Sequence, residues 1–192
     1  MNLILASSSK IRRAMLDMAG VEYRALPSNV DEGALKGEGD ARAIAERLAA
    51  AKALDVSATV PDDWVVGSDS VVSVEGRLFD KPLDRDNAAE HLRFFSGKTM
   101  ELSSAVALAR GGRVEWSHVE TARLQVRPLS DDFITFYLDQ EWPDVGYCVG
   151  VFRLEGRGVQ LFSAIEGSHS TILGMPLVPL LGALRERGLM PA

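Results

Sequence analysis

Cysteine is almost absent from this chain of 192 residues, which contains only Cys148. A single thiol cannot form an internal disulfide, and no second cysteine is present to complete a zinc site. This cysteine usage is typical of a reducing compartment, so we expect a cytoplasmic protein. No run of about 18 apolar residues is present, and no basic segment precedes an apolar one at the N-terminus. We therefore expect neither a membrane span nor a signal peptide.

An excess of positive charge is also lacking. The chain has 21 Lys and Arg against 27 Asp and Glu, which gives a formal net charge of −6. A general nucleic-acid binder needs a basic face to pair with the phosphate backbone, so this class of protein is disfavoured. A small phosphorylated ligand held by a few local cations is still compatible with this charge. The length is sufficient for one substantial domain with a sizeable core.

Two common catalytic motifs are missing. The segment Ser96–Thr99 resembles the end of a P-loop, but Leu92 stands where that motif needs its first glycine. The segment is better interpreted as the end of a helix and a turn into a strand. The Gly-x-Ser-x-Gly sequence of many serine hydrolases is absent too. The neighbouring Ser168, His169 and Ser170 leave a serine hydrolase only as a weaker alternative.

The opening of the chain predicts a site for an anion. The apolar run Leu3–Ala6 indicates a buried strand, and Ser7–Ser9 separate it from a predicted helix that starts near Ser9. Free N–H groups and the positive end of the helix dipole favour an anion at such a place. Arg12 and Arg13 oppose that dipole unless a phosphate lies between them and the helix end. Alternatively, Ser9 is only an N-cap and the arginines form a solvated face.

A lone acid interrupts a second apolar stretch. Valines flank Gly67–Ser70 on both sides, which predicts one central strand over 64–74 with Asp69 inside it. A buried carboxylate is costly unless it is paired or bound to a metal, so we favour a functional role. The alternatives are a structural aspartate whose oxygens accept backbone N–H groups, or a turn residue.

The remaining pattern predicts a mixed α/β fold. Helices are predicted at 40–58, 84–95, 130–138 and 176–187, and further strands at 21–26, 78–79, 100–109, 113–127, 151–154 and 159–165. Lys52 falls beside the apolar stripe of the second helix, a position typical of a lysine that extends to the surface. We expect a central mixed β-sheet flanked by helices, in a bilobed single domain over 1–192.

Several short segments then occur in an order and spacing that resemble the Maf (septum formation) family. They are Leu5–Arg13, Val30–Glu32, Lys52, Gly67–Val72, Asp80–Pro82, Ser96–Thr99 and Gly174–Leu177. The resemblance covers essentially the whole chain. It implies a nucleoside triphosphate pyrophosphatase with a fold similar to inosine triphosphatases. It also implies a divalent metal (Mg or Mn), a homodimer, and the removal of noncanonical nucleotides.

The resemblance also implies roles for individual residues. Ser7, Ser9, Arg12 and Arg13 would hold the triphosphate. Asp69 would be the proton acceptor, with Glu32, Lys52 and Lys81 completing the polar site. Four cations can neutralise a triphosphate of about four negative charges, and a metal held by Glu32 and Asp69 would bridge its oxygens. Whether Asp69 binds the metal, takes the proton or does both stays open.

The choice of base depends on Glu155. It aligns with a position that resembles glutamine in the pyrimidine-selective branch of the family. A carboxylate can accept from guanine N1–H and N2–H₂, so we hypothesise a guanine-type or methylated base; the alternative is a hairpin glutamate in solvent. Two departures from the family are Lys10, where proline is common, and 165–171, which lack an aromatic residue and an asparagine. A non-catalytic nucleotide-binding regulator of cell division is the main alternative function, and it would not need Asp69.

Overall fold

The computed structural model describes residues 2–191. The helices are α1 (Lys10–Met18), α2 (Glu32–Leu35), α3 (Ala41–Ser57), α4 (Arg85–Phe95), α5 (Asp131–Glu141), α6 (His169–Ile172) and α7 (Leu177–Glu186), with 3₁₀ turns at Asp144–Tyr147 and Arg157–Leu161. The strands are β1 (Leu3–Leu5), β2 (Arg24–Ala25), β3 (Trp64–Val74), β4 (Arg77–Phe79), β5 (Thr99–Arg110), β6 (Arg113–Val126) and β7 (Phe162–Glu166). Among these helices, none is both long enough and apolar enough to cross a membrane.

The strands pair in the order β2-β1-β3-β5-β6-β7, and β4 pairs with β3. Parallel pairing on both sides of β1 and antiparallel pairing of β3 with β4 and of β6 with β7 make this a mixed sheet. The predicted α/β fold with a mixed sheet is therefore confirmed. The described residues divide into two compact units, in accord with the predicted two lobes. The single domain over 1–192 stays a prediction, and its first and last residues lie outside the described ones.

Unit 1 comprises residues 2–70, 103–120 and 168–191. In it β1 lies parallel to β2 and to β3, with Leu5 opposite Ala25 on one side and Val66 on the other. The helix predicted near Ser9 is confirmed as α1, and its Met15 and Leu16 are fully buried against these strands and α7. Burial of such side chains contributes about 1.5–3 kcal/mol each, so this core fixes the start of α1 relative to β1 and β3.

Unit 2 comprises residues 71–102 and 121–167. Glu75 and Gly76 form the turn of a hairpin between β3 and β4, and Val72 pairs with Phe79 across it. The rings of Phe79 and Phe95 meet edge to face at 4.7 Å, which ties this hairpin to α4. Helix α4 in turn packs against α5.

The prediction of strands at 151–154 and 159–165 is wrong for most of these residues. Residues 151–154 are not strand, Arg157–Leu161 form a 3₁₀ turn, and β7 begins only at Phe162. The backbone here folds around the buried carboxylate of Glu141, which accepts a hydrogen bond from the Arg157 N–H at 3.4 Å. A tertiary polar contact therefore overrides the local apolar pattern.

One smaller prediction needs correction. The strand predicted over 21–26 is limited to Arg24–Ala25, because the Val21 N–H still bonds to the Leu16 carbonyl at the end of α1. The short helix α2 then begins at Glu32. Asp31 caps this short helix by accepting a hydrogen bond from the Ala34 N–H at 3.2 Å.

Candidate active site

The serine turn, residues Ser7–Ser9, joins β1 to α1 in unit 1. Ser7 is buried and its Oγ accepts a hydrogen bond from the Ser9 N–H at 3.1 Å. Ser9 is the N-cap of α1, with its Oγ 3.4 Å from the Arg12 nitrogen. Because Leu5 lies opposite Val66 in a parallel pair, the turn leaves the sheet level with Gly67–Asp69. This is the carboxyl end of β1, where α/β proteins bind their ligands.

Lys52 is the centre of a buried ionic cluster. Its Nζ lies 2.6 Å from Asp69 Oδ1 and 2.7 Å from Glu32 Oε1. The Lys52 and Asp69 side chains are 10% and 11% exposed, whereas Glu32 is nearly half exposed. The interpretation of Lys52 as a surface lysine is therefore wrong. The mid-strand acid has the paired cation that a buried carboxylate requires.

A close approach of α3 to β3 explains the position of Lys52. A Cβ placed on Gly67 would lie 2.2 Å from the Ala49 carbonyl oxygen and 2.5 Å from the Ala53 nitrogen. Only glycine allows the backbones to come this near. Since Lys52 follows Ala49 by about one helical turn and Asp69 follows Gly67 by two strand residues, the contact brings ammonium and carboxylate together.

Arg12 reaches from α1 to the same strand. Its Nε donates to the Gly174 carbonyl oxygen at 2.9 Å, and its Nη2 donates to Ser70 Oγ at 3.3 Å. Burial lowers the pKa of the Arg12 guanidinium, and the negative charges of Asp69 and Glu32 oppose that decrease. Arg12 is thus held beside Ser70, the residue after Asp69, and lies within electrostatic range of the Asp69 and Glu32 carboxylates.

Arg13 lies beside the serine turn. Its Nη2 donates to the Ser7 carbonyl oxygen at 3.4 Å. Within residues 2–191 its Nε is buried without a hydrogen-bond partner. The structure therefore brings the predicted residues of unit 1 together. They are Ser7, Ser9, Arg12, Arg13, Glu32, Lys52 and Asp69.

Lys81 and Glu155 belong to unit 2, and both are exposed. Burial raises the pKa of the Cys148 thiol, the charge of Glu155 raises it further, and the charge of Lys81 lowers it. Both charges therefore lie within electrostatic range of Cys148, in one region of that unit. Cys148 itself is half-buried.

Sequence reasoning missed several polar groups of unit 1. The Gly174 carbonyl accepts hydrogen bonds from Arg12 and from Ser68 Oγ at 3.0 Å. Ser104 is fully buried on β5 and bonds to both Ser70 and Thr171. A serine inside the apolar stretch of β5 was the available signal for Ser104. A backbone carbonyl such as that of Gly174 gives no signal in the sequence.

The donor set for a metal is small. Among residues 2–191 no group of three or more His, Cys, Asp or Glu side chains could hold an ion. Glu32 and Asp69 nevertheless offer two hard carboxylate oxygens that already share one ammonium. Mg²⁺ is commonly bound by one or two carboxylates together with substrate phosphates. This pair therefore fits a cation that binds together with a phosphorylated ligand.

A serine-capped helix, two arginines and a lysine–carboxylate cluster lie at the end of parallel strands, an arrangement typical of α/β proteins that bind phosphorylated ligands. The model of the family described as Maf-like protein matches residues 2–187. The chain therefore belongs to the Maf-like family.

Named relatives match along almost their whole length. The chain is 48% identical over 191 residues to a 7-methyl-GTP pyrophosphatase of Rhizobium etli, covering 97% of this chain and 96% of that protein. It is 46% identical over 191 residues to a nucleoside triphosphate pyrophosphatase of Nitrobacter hamburgensis, covering 98% and 95%.

A solved structure is also similar, though weakly. A dITP/XTP pyrophosphatase of Mycobacterium abscessus aligns with a TM-score of 0.43 and 18% identity, over 66% of this chain and 73% of that one. A TM-score this low does not establish a shared fold. The expected likeness to inosine triphosphatases therefore stays a prediction.

Proposed function

We propose that this protein is a nucleoside triphosphate pyrophosphatase, which hydrolyses its substrate to a nucleoside monophosphate and pyrophosphate. The observation that carries the proposal is the arrangement on β3. Asp69 is paired with Lys52, and the next residue, Ser70, bonds to Arg12 of the serine-capped helix. The acid and the residue that holds a phosphate-binding cation thus occupy adjacent positions of one strand. The names of the two relatives support the same activity.

The cations of unit 1 bind the polyphosphate in this proposal. Arg12 and Arg13 lie within the first turn of α1, where the serine turn adds hydroxyl groups and the helix dipole favours an anion. Positive charge close to the phosphates stabilises the charge that grows on the departing pyrophosphate. Lys81 is part of the proposal as a further cation for the substrate.

Asp69 takes the proton in the hydrolysis. The oxygen of a water molecule attacks the α-phosphorus, the bond from that phosphorus to the bridging oxygen breaks, and pyrophosphate leaves. The proton of the water passes to the Asp69 carboxylate, whose charge Lys52 compensates at 2.6 Å. A divalent cation such as Mg²⁺ or Mn²⁺, held by Glu32 and Asp69, would supply charge neutralisation at the phosphates.

The base is the finer part of the proposal. Glu155 is exposed and can accept two N–H groups from the edge of a guanine-type base. A relative named for 7-methyl-GTP supports a methylated guanine nucleotide as substrate. A Glu155→Gln variant should lower turnover of guanine nucleotides relative to pyrimidine ones, and an unchanged ratio would contradict this role. A cytoplasmic homodimer is part of the same proposal.

A panel of triphosphates tests the activity. Purified protein is supplied with Mg²⁺ or Mn²⁺ and with ordinary, methylated and deaminated nucleotides, and the products are resolved. We expect monophosphate and pyrophosphate in equal amounts. Diphosphate and orthophosphate would place the cleavage at the wrong bond. Tight binding of the nucleotides without any product would favour the non-catalytic regulator of cell division.

A further inference from the structure

A chain of hydrogen bonds connects Arg12 to the backbone of α6. Arg12 Nη2 lies 3.3 Å from Ser70 Oγ, which lies 2.8 Å from Ser104 Oγ. Ser104 Oγ lies 2.8 Å from the Thr171 carbonyl oxygen. Ser104 is fully buried on β5, and neither of its two hydrogen bonds goes to the ionic cluster around Lys52. All four residues lie in unit 1.

The donors and acceptors give every bond in this chain one direction. The Thr171 carbonyl can only accept, so Ser104 must donate its single proton there. Ser104 is then an acceptor toward Ser70, and Ser70 must donate to it. The lone pairs of Ser70 are thereby left for the Arg12 guanidinium, which can only donate.

The other acceptor within reach of Ser70 is already occupied. The Gly174 carbonyl oxygen lies 3.2 Å from Ser70 Oγ, but it accepts from Arg12 Nε at 2.9 Å and from Ser68 Oγ at 3.0 Å. Two donors match the two lone pairs of a carbonyl oxygen. Ser104, at 2.8 Å, is therefore the better acceptor for the Ser70 proton.

The end of the chain is itself anchored. The Thr171 hydroxyl donates to the carboxylate of Glu120, and Thr171 is fully buried. The carbonyl that accepts the hydrogen bond from Ser104 thus belongs to a residue that a second, charge-assisted hydrogen bond holds in place. Ser104 therefore has a fixed partner on the side away from the site.

We propose that Ser104 is a positioning residue for polyphosphate binding: it fixes Ser70 as a hydrogen-bond acceptor and so orients the guanidinium of Arg12. The inference rests on the proposed function, because Arg12 is one of the residues that bind the polyphosphate in that proposal. Ser104 acts only through Ser70 and touches no reacting group. Its loss should therefore change binding and leave the chemical step intact.

The test compares Ser104→Ala with a matched control. Ser57→Ala also removes a fully buried hydroxyl of unit 1. That hydroxyl accepts a hydrogen bond from the Gly112 N–H at 3.0 Å and makes none with Arg12, Ser70, Ser104 or Thr171. Binding of inorganic tripolyphosphate without metal is measured by calorimetry, and KM and kcat are measured with a nucleotide. We expect about three- to tenfold weaker binding and a matching rise in KM for Ser104→Ala, from the strength of one hydrogen bond. The kcat should stay within about twofold, and Ser57→Ala should bind as the wild type does.

A double-mutant cycle separates positioning from a general loss of structure. If Ser104 acts through Ser70, Ser104→Ala should have no further effect on binding in a Ser70→Ala background. Wild-type binding by Ser104→Ala, equal weakening by the control, or additive effects in the cycle would each overturn the inference. Should Ser104→Ala fail to fold, Ser104→Cys, a weaker donor, should still weaken tripolyphosphate binding relative to the wild type, and wild-type binding by it would overturn the inference as well. A wild-type protein that neither binds tripolyphosphate nor cleaves a nucleotide would instead overturn the proposed function.

Discussion

Replacing Asp69 by asparagine separates the proton acceptor from the fold. The amide has nearly the same shape as the carboxylate, and its oxygen can still accept from Lys52 Nζ, now 2.6 Å from Asp69 Oδ1. Lys52 also keeps Glu32 at 2.7 Å, so the buried ammonium is not left without a counter-ion. The hydrogen bond keeps its charged donor but loses the negative charge of its acceptor, which should lower the free energy of unfolding by about 1 kcal/mol. An amide cannot take a proton from water, so turnover should fall by a factor of at least about 10².

Pyrophosphate release at saturating nucleotide measures the effect of Asp69→Asn on turnover, and urea unfolding measures its effect on stability. Asp63→Asn is the matched control. Asp63 precedes β3, and its carboxylate bonds to Asn2 and Arg24 away from the ionic cluster. We expect this control to keep wild-type turnover. Wild-type turnover in Asp69→Asn would mean that the proton acceptor is another group, and a similar loss in both variants would refute the specific role of Asp69.

Three further predictions concern packing, a buried ion pair and the dependence of stability on pH. Gly67→Ala should lower the free energy of unfolding by about 3 kcal/mol or more, since its Cβ would lie 2.2 Å from the Ala49 carbonyl oxygen. Glu141→Ala should lower it by about 2 kcal/mol, because the buried carboxylate holds the partly exposed Arg153 at 3.1 Å. Burial raises the pKa of Tyr137, so above about pH 10 the unfolded state loses a proton that the native state keeps. The free energy of unfolding should therefore fall by up to about 1.4 kcal/mol per pH unit there, and Tyr137→Phe should lack this component.

Each of these predictions has a control measured by the same urea unfolding. Gly182→Ala adds a methyl group inside α7 where nothing lies within 4 Å, and it should raise the free energy of unfolding by up to about 1 kcal/mol. Glu101→Ala breaks an exposed ion pair with Arg123 and should cost less than about 1 kcal/mol. Tyr147→Phe removes the hydroxyl of a residue that is 74% exposed and should unfold as the wild type does. Equal effects in a variant and its control would contradict the corresponding prediction.

Helix and strand signals that depend on neighbouring residues can be predicted from the sequence alone. The helix predicted from residue 40 starts there, and Asp40 caps α3 by accepting a hydrogen bond from the Ala43 N–H at its Oδ1, at 2.9 Å. Asp84 begins α4 in the same way, with the Asn87 N–H at 2.8 Å. Caps and periodic apolar residues act over a few positions, so the sequence alone carries them.

Contacts between distant segments could not be read in the same way. Lys52 looked like a surface lysine, because nothing around it in the sequence shows that β3 comes into backbone contact with α3. The segment 151–161 looked like strands, because the buried carboxylate that it surrounds belongs to Glu141 on α5. In both places a residue far away in the sequence decides the local structure.

The candidate site was predicted in part. The family pattern supplied the side chains that carry charge, and the structure places those of unit 1 close together. The assigned roles of these residues stay predictions. Ser104 and the Gly174 carbonyl escaped prediction because one is a neutral residue in a buried strand and the other is a backbone group. Their contribution is visible only as hydrogen-bond geometry.

The two hydrogen bonds of the Arg12 side chain have a thermodynamic consequence. A free arginine loses about 2 kcal/mol of rotamer entropy when it is immobilised. Here Nε and Nη2 are already held by Gly174 and Ser70 before any ligand arrives. Three of the five guanidinium N–H bonds are left to face an anion, and little torsional freedom remains to be lost. Association at this arginine should therefore show a smaller unfavourable entropy than association at a freely rotating surface arginine.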